Sequence, residues 1–357
     1  MNPVKIIAAF TLDGNCTDYQ EFGSGHINST FKVTTDTGKE YVLQRINKYV
    51  FKDPHRLMEN IRAVTEFICS RSGDPQAALH FVPTHSGQLY HIDEDGEYWR
   101  MYDYVRGFTL DMPESEEDFY QSALAFGRFQ ELLKDFPADS LYMTIPDFHN
   151  TPDRFRQFKE SVSRDTAGHR NSVQTDIDAV LEFEETACIL QNKLNAGALP
   201  LRVTHNDTKL NNVLLDKTTR KSLCVLDLDT VMPGLSAHDF GDSIRFGAAT
   251  ATEDEPDTSK MKLDLHLFEV YTRGFLQAAP SLTESELQVL PLGAVTMALE
   301  LTVRFLGDYL DGNKYFKTAY PEHNLIRARA QFALAKDMLS KLDEMNAIVA
   351  RVAAECK

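Results

Sequence analysis

Apolar and polar residues alternate over much of the first hundred positions, and this period of two is typical of β-strands. An alternating run ending at Val33 is followed by the turn Thr35-Asp-Thr-Gly-Lys39 and by a second such run at 40–44. The pattern predicts a β-hairpin, because Gly readily takes the positive φ that tight turns need. Two more strands are predicted at 81–92 and 97–104.

Residues 54–71 have helical spacing instead. Their apolar residues recur at intervals typical of an amphipathic helix: Leu57, Ile61, Val64, Phe67 and Ile68. Strands with one helix predict a small antiparallel lobe over residues 1–104, the N-lobe. Arg106-Gly107 follows it as the predicted hinge.

Beyond the hinge, helical spacing dominates and predicts a larger, mainly helical C-lobe over residues 105–357. Asp111 is a candidate N-cap, with Pro113 inside the first turn and Glu114 three residues on. The predicted helices cover 111–136, 152–164, 173–194, a stretch starting at 239, 261–278, 283–310 with an interruption at Pro291, and 321–353.

Two short apolar runs in the C-lobe flank a polar loop, within which Asp207 precedes Asn212 by five residues. Asp227 follows fifteen residues later, in what reads as another short strand. Protein kinases use this spacing for a catalytic Asp, an Asn and a metal-binding Asp. An Asp can orient an acceptor hydroxyl and take its proton, while amide and carboxylate oxygens bind magnesium. The spacing favours a phosphoryl-transfer loop over an ordinary turn, where isolated Asp and Asn are common.

The composition is that of an ordinary soluble globular protein, with 43% hydrophobic and 25% charged residues. The net charge of −16 argues against nucleic acid as a partner, since its binding rests on Lys and Arg. Residues 1–104 contain 10 Lys and Arg against 14 Asp and Glu, and the remainder contains 27 against 39. A polyphosphate bound beside the acidic C-lobe would therefore need a divalent cation.

Five cysteines are scattered along the chain without a Cys-x2-Cys pair. They predict neither a disulfide framework nor a zinc site, and they favour a reducing compartment. The apolar patch from Ile6 to Phe10 is too short for a signal peptide or a membrane span. The sequence therefore predicts a cytoplasmic protein, with no membrane or protein partner inferred.

Taken together, these motifs resemble the aminoglycoside phosphotransferase and choline kinase superfamily, and most closely the N-acetylhexosamine 1-kinases within it. The resemblance implies an α+β, two-lobed protein-kinase-like fold, with a small antiparallel β-sheet N-lobe and a larger mainly helical C-lobe. It covers nearly the whole chain and rests on the segments 25–28, 201–212, 227–230, 239–247 and 320–325.

The resemblance implies roles for residues of the catalytic loop. Asp207 matches the catalytic carboxylate that also contacts the acceptor, and Asn212 and Asp227 match the magnesium ligands. His205 and Asp239 are expected to brace this loop. For Asp229, two roles remain open: holding the turn or reaching the sugar.

The nucleotide is implied to bind along the N-lobe. A glycine-containing loop would cover its phosphates, and the backbone from Asp103 to Val105 would meet adenine. Gln44 stands where the superfamily carries a phosphate-binding Lys, with Arg45 beside it. The loop residues assigned to the nucleotide are Gly23, Ser24, Gly25 and His26.

The implied reaction is ATP-dependent phosphorylation of the 1-hydroxyl of N-acetylglucosamine or N-acetylgalactosamine, with Mg²⁺. Arg304, Tyr315 and Thr230 fall where that family contacts its sugar, and Glu300 is a weaker match. Glu300 and Arg304 are four residues apart, so an ordinary intrahelical salt bridge is the alternative. Another acceptor (choline, homoserine, an aminoglycoside or another sugar) or an inactive kinase-like binding protein also remains open.

Overall fold

The computed structural model describes residues 3–22, 29–74 and 77–356. Its strands are β1 (Cys16–Glu21), β2 (Ser29–Thr35), β3 (Glu40–Arg45), β4 (His91–Ile92), β5 (Tyr98–Asp103), β6 (Arg202–Thr204), β7 (Val213–Leu215), β8 (Ser222–Val225) and β9 (Met232–Gly234). The first five form one antiparallel sheet in the order β1-β2-β3-β5-β4. Two small antiparallel pairs, β6 with β9 and β7 with β8, belong to the rest of the chain.

Helices make up most of the remainder. They are α1 (Pro3–Ile7), α2 (Pro54–Ser72), α3 (Glu116–Leu132), α4 (Thr151–Arg164), α5 (Gln174–Leu181), α6 (Glu184–Asn195), α7 (Ser236–Gly247), α8 (Leu265–Ala278), α9 (Glu284–Leu287), α10 (Leu290–Leu310), α11 (His323–Ser340) and α12 (Leu342–Glu355). The predicted α+β kinase-like fold is confirmed: an antiparallel sheet comes first and a mainly helical part follows.

The two faces of the five-stranded sheet serve different purposes. Tyr41 and Leu43 of β3 point into a core shared with Trp99 of β5. Val42 and Gln44 alternate with them and therefore face the other way. On that second face, Arg100 of β5 reaches Asp229 of the helical part, so this face looks onto the C-lobe.

Two predictions about the N-lobe are wrong. It contains a second, short helix, α1, because Ile6 and Ile7 bury themselves in the same core as Trp99. Only residues 91–92 of the predicted strand 81–92 pair regularly. Pro83 has no N–H to donate, and the N–H of Thr84 turns back to the carbonyl of Gln88, so the ladder is interrupted.

Two helical predictions in the C-lobe also need correction. The helix expected from 111 begins at Glu116, because the Ser115 side chain accepts a hydrogen bond from the N–H of Asp118. The single helix expected over 173–194 is two helices. The break between them falls at Phe183, whose N–H bonds to the Val180 carbonyl and whose ring packs on Phe332.

The last two predicted helices are likewise divided, at 288–289 and at Lys341. Pro291 does not interrupt α10 but lies in its first turn, where its missing N–H costs nothing. The Lys341 ammonium donates to the carbonyl of Leu263 and pairs with Asp337, which fixes the corner between α11 and α12.

Helix α10 is the centre of the C-lobe. By length and composition it is apolar enough to cross a membrane, but 89% of its most apolar window is buried inside the fold, as in the core helix of a globular protein. It packs closely on α7, where Gly293 touches the backbone of Ala237 and a side chain would clash. The residues of α10 are thus held in place by its close packing on α7.

Candidate active site

Asn212 and Asp227 are brought together by the hairpin of β7 and β8. Val213 lies opposite Val225 in this hairpin, and the N–H of Leu226 donates to the carbonyl of Asn212 at 2.8 Å. Asp227 therefore follows β8. The prediction that it lies inside a strand is wrong. Asp227 has a φ of +52°, a left-handed conformation that Asp tolerates, and turns the chain into a 3-10 turn at Leu228–Thr230.

Asp207 lies beside Asn212 in the polar loop. The Asn212 amide nitrogen donates to the Asp207 carbonyl at 2.8 Å and to its Oδ2 at 3.2 Å. The Lys209 Nζ lies 3.0 Å from Asp207 Oδ1. Burial raises the pKa of Asp207, but Lys209 and His205 outweigh it, so the net pKa lies below the usual value. Asp207 is therefore an anion at neutral pH, held by its neighbours.

Bracing roles are confirmed for His205 and Asp239. His205 is fully buried, and its Nε2 lies 2.8 Å from the Leu226 carbonyl. The Asp239 carboxylate accepts from the N–H groups of His205 at 2.9 Å and Asn206 at 2.7 Å. The loop before Asp207 is thus held by hydrogen bonds to Asp239 of α7 and to Leu226, the residue that follows β8.

A cation would suit the carboxylates at this point. Desolvation and the neighbouring carboxylates of Asp229 and Asp207 raise the pKa of Asp227, while Arg100 and Lys209 oppose them and the side chain itself reaches the surface. In the described residues, no three His, Cys, Asp or Glu side chains form a metal site by themselves. Magnesium does not require one, since it usually takes one or two protein ligands together with phosphate oxygens. The Asp227 carboxylate and the Asn212 amide oxygen fit that requirement.

Asp229 is paired with Arg100 of β5, and both side chains are only 3% exposed. Of the two roles left open for Asp229, this contact supports a structural one. Gln44 also turns to Arg100, because its Oε1 accepts from the guanidinium. Sequence reasoning missed Arg100 and Lys209. The available signals were an Arg amid the apolar residues of β5 and a Lys two positions after Asp207.

Among the residues expected to bind nucleotide, Gly23, Ser24, Gly25 and His26 lie outside the described residues. The Asp103 carboxylate pairs with Lys39 and His80. The N–H groups of Asp103 and Tyr104 donate to carbonyls of His80 and Glu40. The N–H groups of Asp103 and Tyr104 are therefore not free to donate to an adenine.

Of the residues expected to contact the sugar, Glu300 has no exposed surface and cannot touch a sugar directly. Its Oε1 lies 2.9 Å from His149 Nδ1, and its Oε2 accepts from Thr151 at 3.2 Å. Burial raises the pKa of Glu300, but His149 and Arg304 outweigh it and lower the pKa to about 2. The other nitrogen of His149 lies 3.2 Å from the Asn206 carbonyl. His149, which sequence reasoning missed, thus joins α10 to the catalytic loop.

Arg304 and Tyr315 lie together at the end of α10. The Arg304 guanidinium is 3.7 Å from Glu300, so the expected salt bridge exists but is long. It also lies against three aromatic rings, those of Phe148, Tyr315 and Phe316. Tyr315 is 63% exposed. Tyr315 is thus open to solvent, whereas the Arg304 side chain is only 13% exposed beneath these rings.

Thr230 is separate from this pair and supports the loop. Its hydroxyl donates to the His205 carbonyl at 2.7 Å, and its own carbonyl accepts from the Asn206 amide. Since the hydroxyl proton is used, the Thr230 oxygen could still accept a hydrogen bond from an acceptor molecule.

A braced Asp, an Asn five residues later and a second Asp after the β7–β8 hairpin are the arrangement that protein kinases use for phosphoryl transfer. Comparison with known families agrees with it. The model of the phosphotransferase enzyme family (APH) matches residues 18–272. The chain belongs to this family.

Solved structures of small-molecule kinases share the fold. An aminoglycoside phosphotransferase from Alicyclobacillus acidocaldarius is 15% identical, with a TM-score of 0.61, covering 100% of this chain and 96% of that one. A microcompartment-associated aminopropanol kinase is 13% identical, with a TM-score of 0.60 and coverage of 96% and 98%. An amicoumacin kinase bound to AMP-PNP and Ca²⁺ is 12% identical, with a TM-score of 0.60 and coverage of 94% and 92%.

Proposed function

We propose that this phosphotransferase is an ATP-dependent kinase that phosphorylates the 1-hydroxyl of N-acetylhexosamines. The nucleotide binds between an N-lobe of residues 1–104 and a C-lobe of residues 105–357, with Val105 at the adenine. The observation that carries the proposal is the cluster of Asp207, Asn212 and Asp227 at one end of the β7–β8 hairpin.

Asp207 is the general base in this proposal. Its carboxylate orients the acceptor hydroxyl for in-line attack on the terminal phosphate and receives the hydroxyl proton as the new P–O bond forms. Lys209, 3.0 Å from the carboxylate, keeps it ionised and adds positive charge where the transferred phosphate passes. No covalent enzyme intermediate is needed, since positioning and charge stabilisation supply most of the catalysis.

Asp227 and Asn212 are proposed to hold Mg²⁺, which supplies charge neutralisation for the phosphates of ATP. The amide nitrogen of Asn212 is committed to Asp207, so its oxygen is the atom that faces the cation. This orientation gives the two residues one anionic and one neutral oxygen.

Asp227→Ala is expected to raise the magnesium concentration needed for half-maximal rate, because the only anionic ligand of this pair is lost. Asp227→Asn should shift the magnesium titration less, since an oxygen remains. Asp257, in an exposed loop, provides the control Asp257→Ala, which should not shift it. A titration of Asp227→Ala that overlays the wild type would assign Asp227 a structural role.

The acceptor pocket is proposed at the end of α10. Arg304 and Tyr315 would contact the sugar, while Glu300 acts from beneath by fixing His149 and Arg304. A guanidinium and a phenol suit the hydroxyls and the acetamido carbonyl of such a sugar, since buried polar groups need partners. The link from Glu300 through His149 to Asn206 ties this pocket to Asp207.

Arg304→Ala is expected to weaken sugar binding by about ten- to a hundredfold, the cost of one or two lost charge-assisted hydrogen bonds, and to spare ATP binding. The rate is measured against sugar and ATP concentration separately, after unfolding curves show that the variant is folded. Tyr315→Phe, which removes only an exposed hydroxyl, is the milder companion. If the dependence of the rate on sugar concentration were unchanged in both variants, Arg304 would have only a structural role, as the partner of Glu300.

An acceptor panel tests the proposed function directly. ADP release is measured with N-acetylglucosamine, N-acetylgalactosamine, choline, homoserine and an aminoglycoside, and the sugar product is assayed for its reducing end. Phosphorylation at the 1-hydroxyl abolishes the reducing end, whereas phosphorylation elsewhere leaves it. Turnover only with choline, homoserine or an aminoglycoside would overturn the acceptor assignment and keep the kinase chemistry.

The alternative of an inactive binding protein rests on the neutral Gln44. The ordered contacts around Asp207 weigh against it, because Lys209, Asn212 and two braces converge on one carboxylate and its loop. Nucleotide binding without turnover on any acceptor would favour that alternative.

A further inference from the structure

The N-lobe sheet places a cation directly beside the neutral Gln44. Gln44 of β3 pairs with Thr30 of β2 on one side and with Arg100 of β5 on the other. The three side chains form one row across three strands, on the face that looks onto the C-lobe. The positive charge of Arg100 therefore lies on β5, next to the position on β3 where related kinases place a lysine.

Gln44 is bound to this cation. Its Oε1 accepts from Arg100 Nε at 2.9 Å and from Nη2 at 2.6 Å, while its Nε2 donates to Thr30 Oγ1 at 3.3 Å. The remaining Arg100 nitrogen, Nη1, pairs with Asp229. A Lys at position 44 would put a second buried cation against Arg100. A neutral acceptor at 44 and a buried Arg at 100 thus form one compatible arrangement.

Arg45, the neighbour of Gln44 in sequence, cannot supply the charge that Arg100 brings to this row. Successive residues of a strand point to opposite faces, so Arg45 faces away from the row. Its guanidinium donates to the Ser29 hydroxyl at 3.2 Å. Arg45 is therefore a control with the same charge on the same strand but on the other face.

Arg100 also borders the proposed metal site. Asp229 lies two residues after Asp227, and Arg100 attracts the Asp227 carboxylate as well. Arg100 and Asp229 are both buried, so little water screens the Arg100 charge at its own position, whereas Asp227 lies at the exposed edge of the site. Of the five N–H groups of a guanidinium, Gln44 and Asp229 use three, which leaves two.

We propose that Arg100 supplies, from β5, the positive charge that related kinases place on β3, offsetting the α- and β-phosphates of the bound nucleotide. Gln44 and Asp229 position its guanidinium. The inference rests on the proposed kinase function, but it does not depend on which acceptor is used.

A purely structural role is the competing explanation, since the pair also joins the two lobes. Removing Arg100 alone would leave Asp229 buried without a counter-charge, which is strongly destabilising. The test therefore uses Arg100→Gln together with Asp229→Asn, which leaves the net charge unchanged. Its companion adds Gln44→Lys, which returns the cation to β3.

Dissociation constants for ADP and adenosine are measured by calorimetry, so the readout is binding and not turnover. Arg100→Gln/Asp229→Asn is expected to bind ADP about ten- to a hundredfold more weakly, and adenosine as the wild type does. Adding Gln44→Lys should recover at least about tenfold of the ADP affinity, which a purely structural contact would not predict. Arg45→Gln should leave both constants unchanged.

An ADP-to-adenosine affinity ratio in the double variant equal to that of the wild type would overturn the inference. So would an absence of rescue by Gln44→Lys in a folded triple variant. A wild type that binds neither molecule would overturn the proposed function and the inference together. A wild type that binds ADP but phosphorylates no acceptor would overturn the proposed function alone, and the comparison of variants would still decide the role of Arg100.

Discussion

Asp207→Asn is expected to lower the turnover rate by about 10²–10⁴-fold, the usual contribution of a positioned general base. Asn has the same shape and can still accept a hydrogen bond from Asn212, but it cannot take a proton from the acceptor. Rates at saturating sugar and ATP measure the effect. ATP affinity should stay near that of the wild type, because the role proposed for Asp207 is on the acceptor side.

Two features make this substitution informative. Asp207 is part exposed, so its replacement leaves no buried charge and should not unfold the protein. Asp257→Asn, in an exposed loop of the C-lobe, removes a charge that pairs with Lys260 and should leave turnover unchanged. Near-wild-type turnover in Asp207→Asn would show that the loop has been misassigned.

The sequence could predict this loop because its chemistry is local. Asp207 and Asn212 are five residues apart, and the short hairpin that follows can place Asp227 only near its open end. Strands β2, β3 and β5 and most helices were also predictable, since periodicity reflects burial on one face. The predicted helix boundaries were wrong where a single side chain determines where a helix begins, as Ser115 does for α3.

Contacts between distant segments were not predictable in this way. His149 contacts Glu300, and Arg100 contacts Asp229, across 151 and 129 positions of sequence. No period or spacing connects such residues, so only the fold could bring them together. Glu300 illustrates the consequence, because its helical spacing to Arg304 was visible whereas its complete burial beneath His149 was not.

Replacing Asp239 by Ala is expected to lower both the stability of the protein and its turnover rate. The Asp239 carboxylate is fully buried on α7 and accepts from the N–H groups of His205 and Asn206 and from the Gln130 amide. Asp239→Ala leaves these donors without a partner. Each unsatisfied buried donor costs about 1–3 kcal/mol, so the free energy of unfolding should fall by several kcal/mol.

The same substitution should reduce turnover, because the two N–H groups belong to the residues just before Asp207. Asp264→Ala is the matched control: Asp264 also accepts from two backbone N–H groups, at the start of α8, but it is partly exposed and water can replace it. Its loss should cost about 0.5–2 kcal/mol, the usual range for a helix cap, and leave turnover unchanged. Chemical denaturation and steady-state rates are compared for both variants. If Asp239→Ala lost no more stability than Asp264→Ala and kept full turnover, the catalytic loop would not depend on α7 for its conformation.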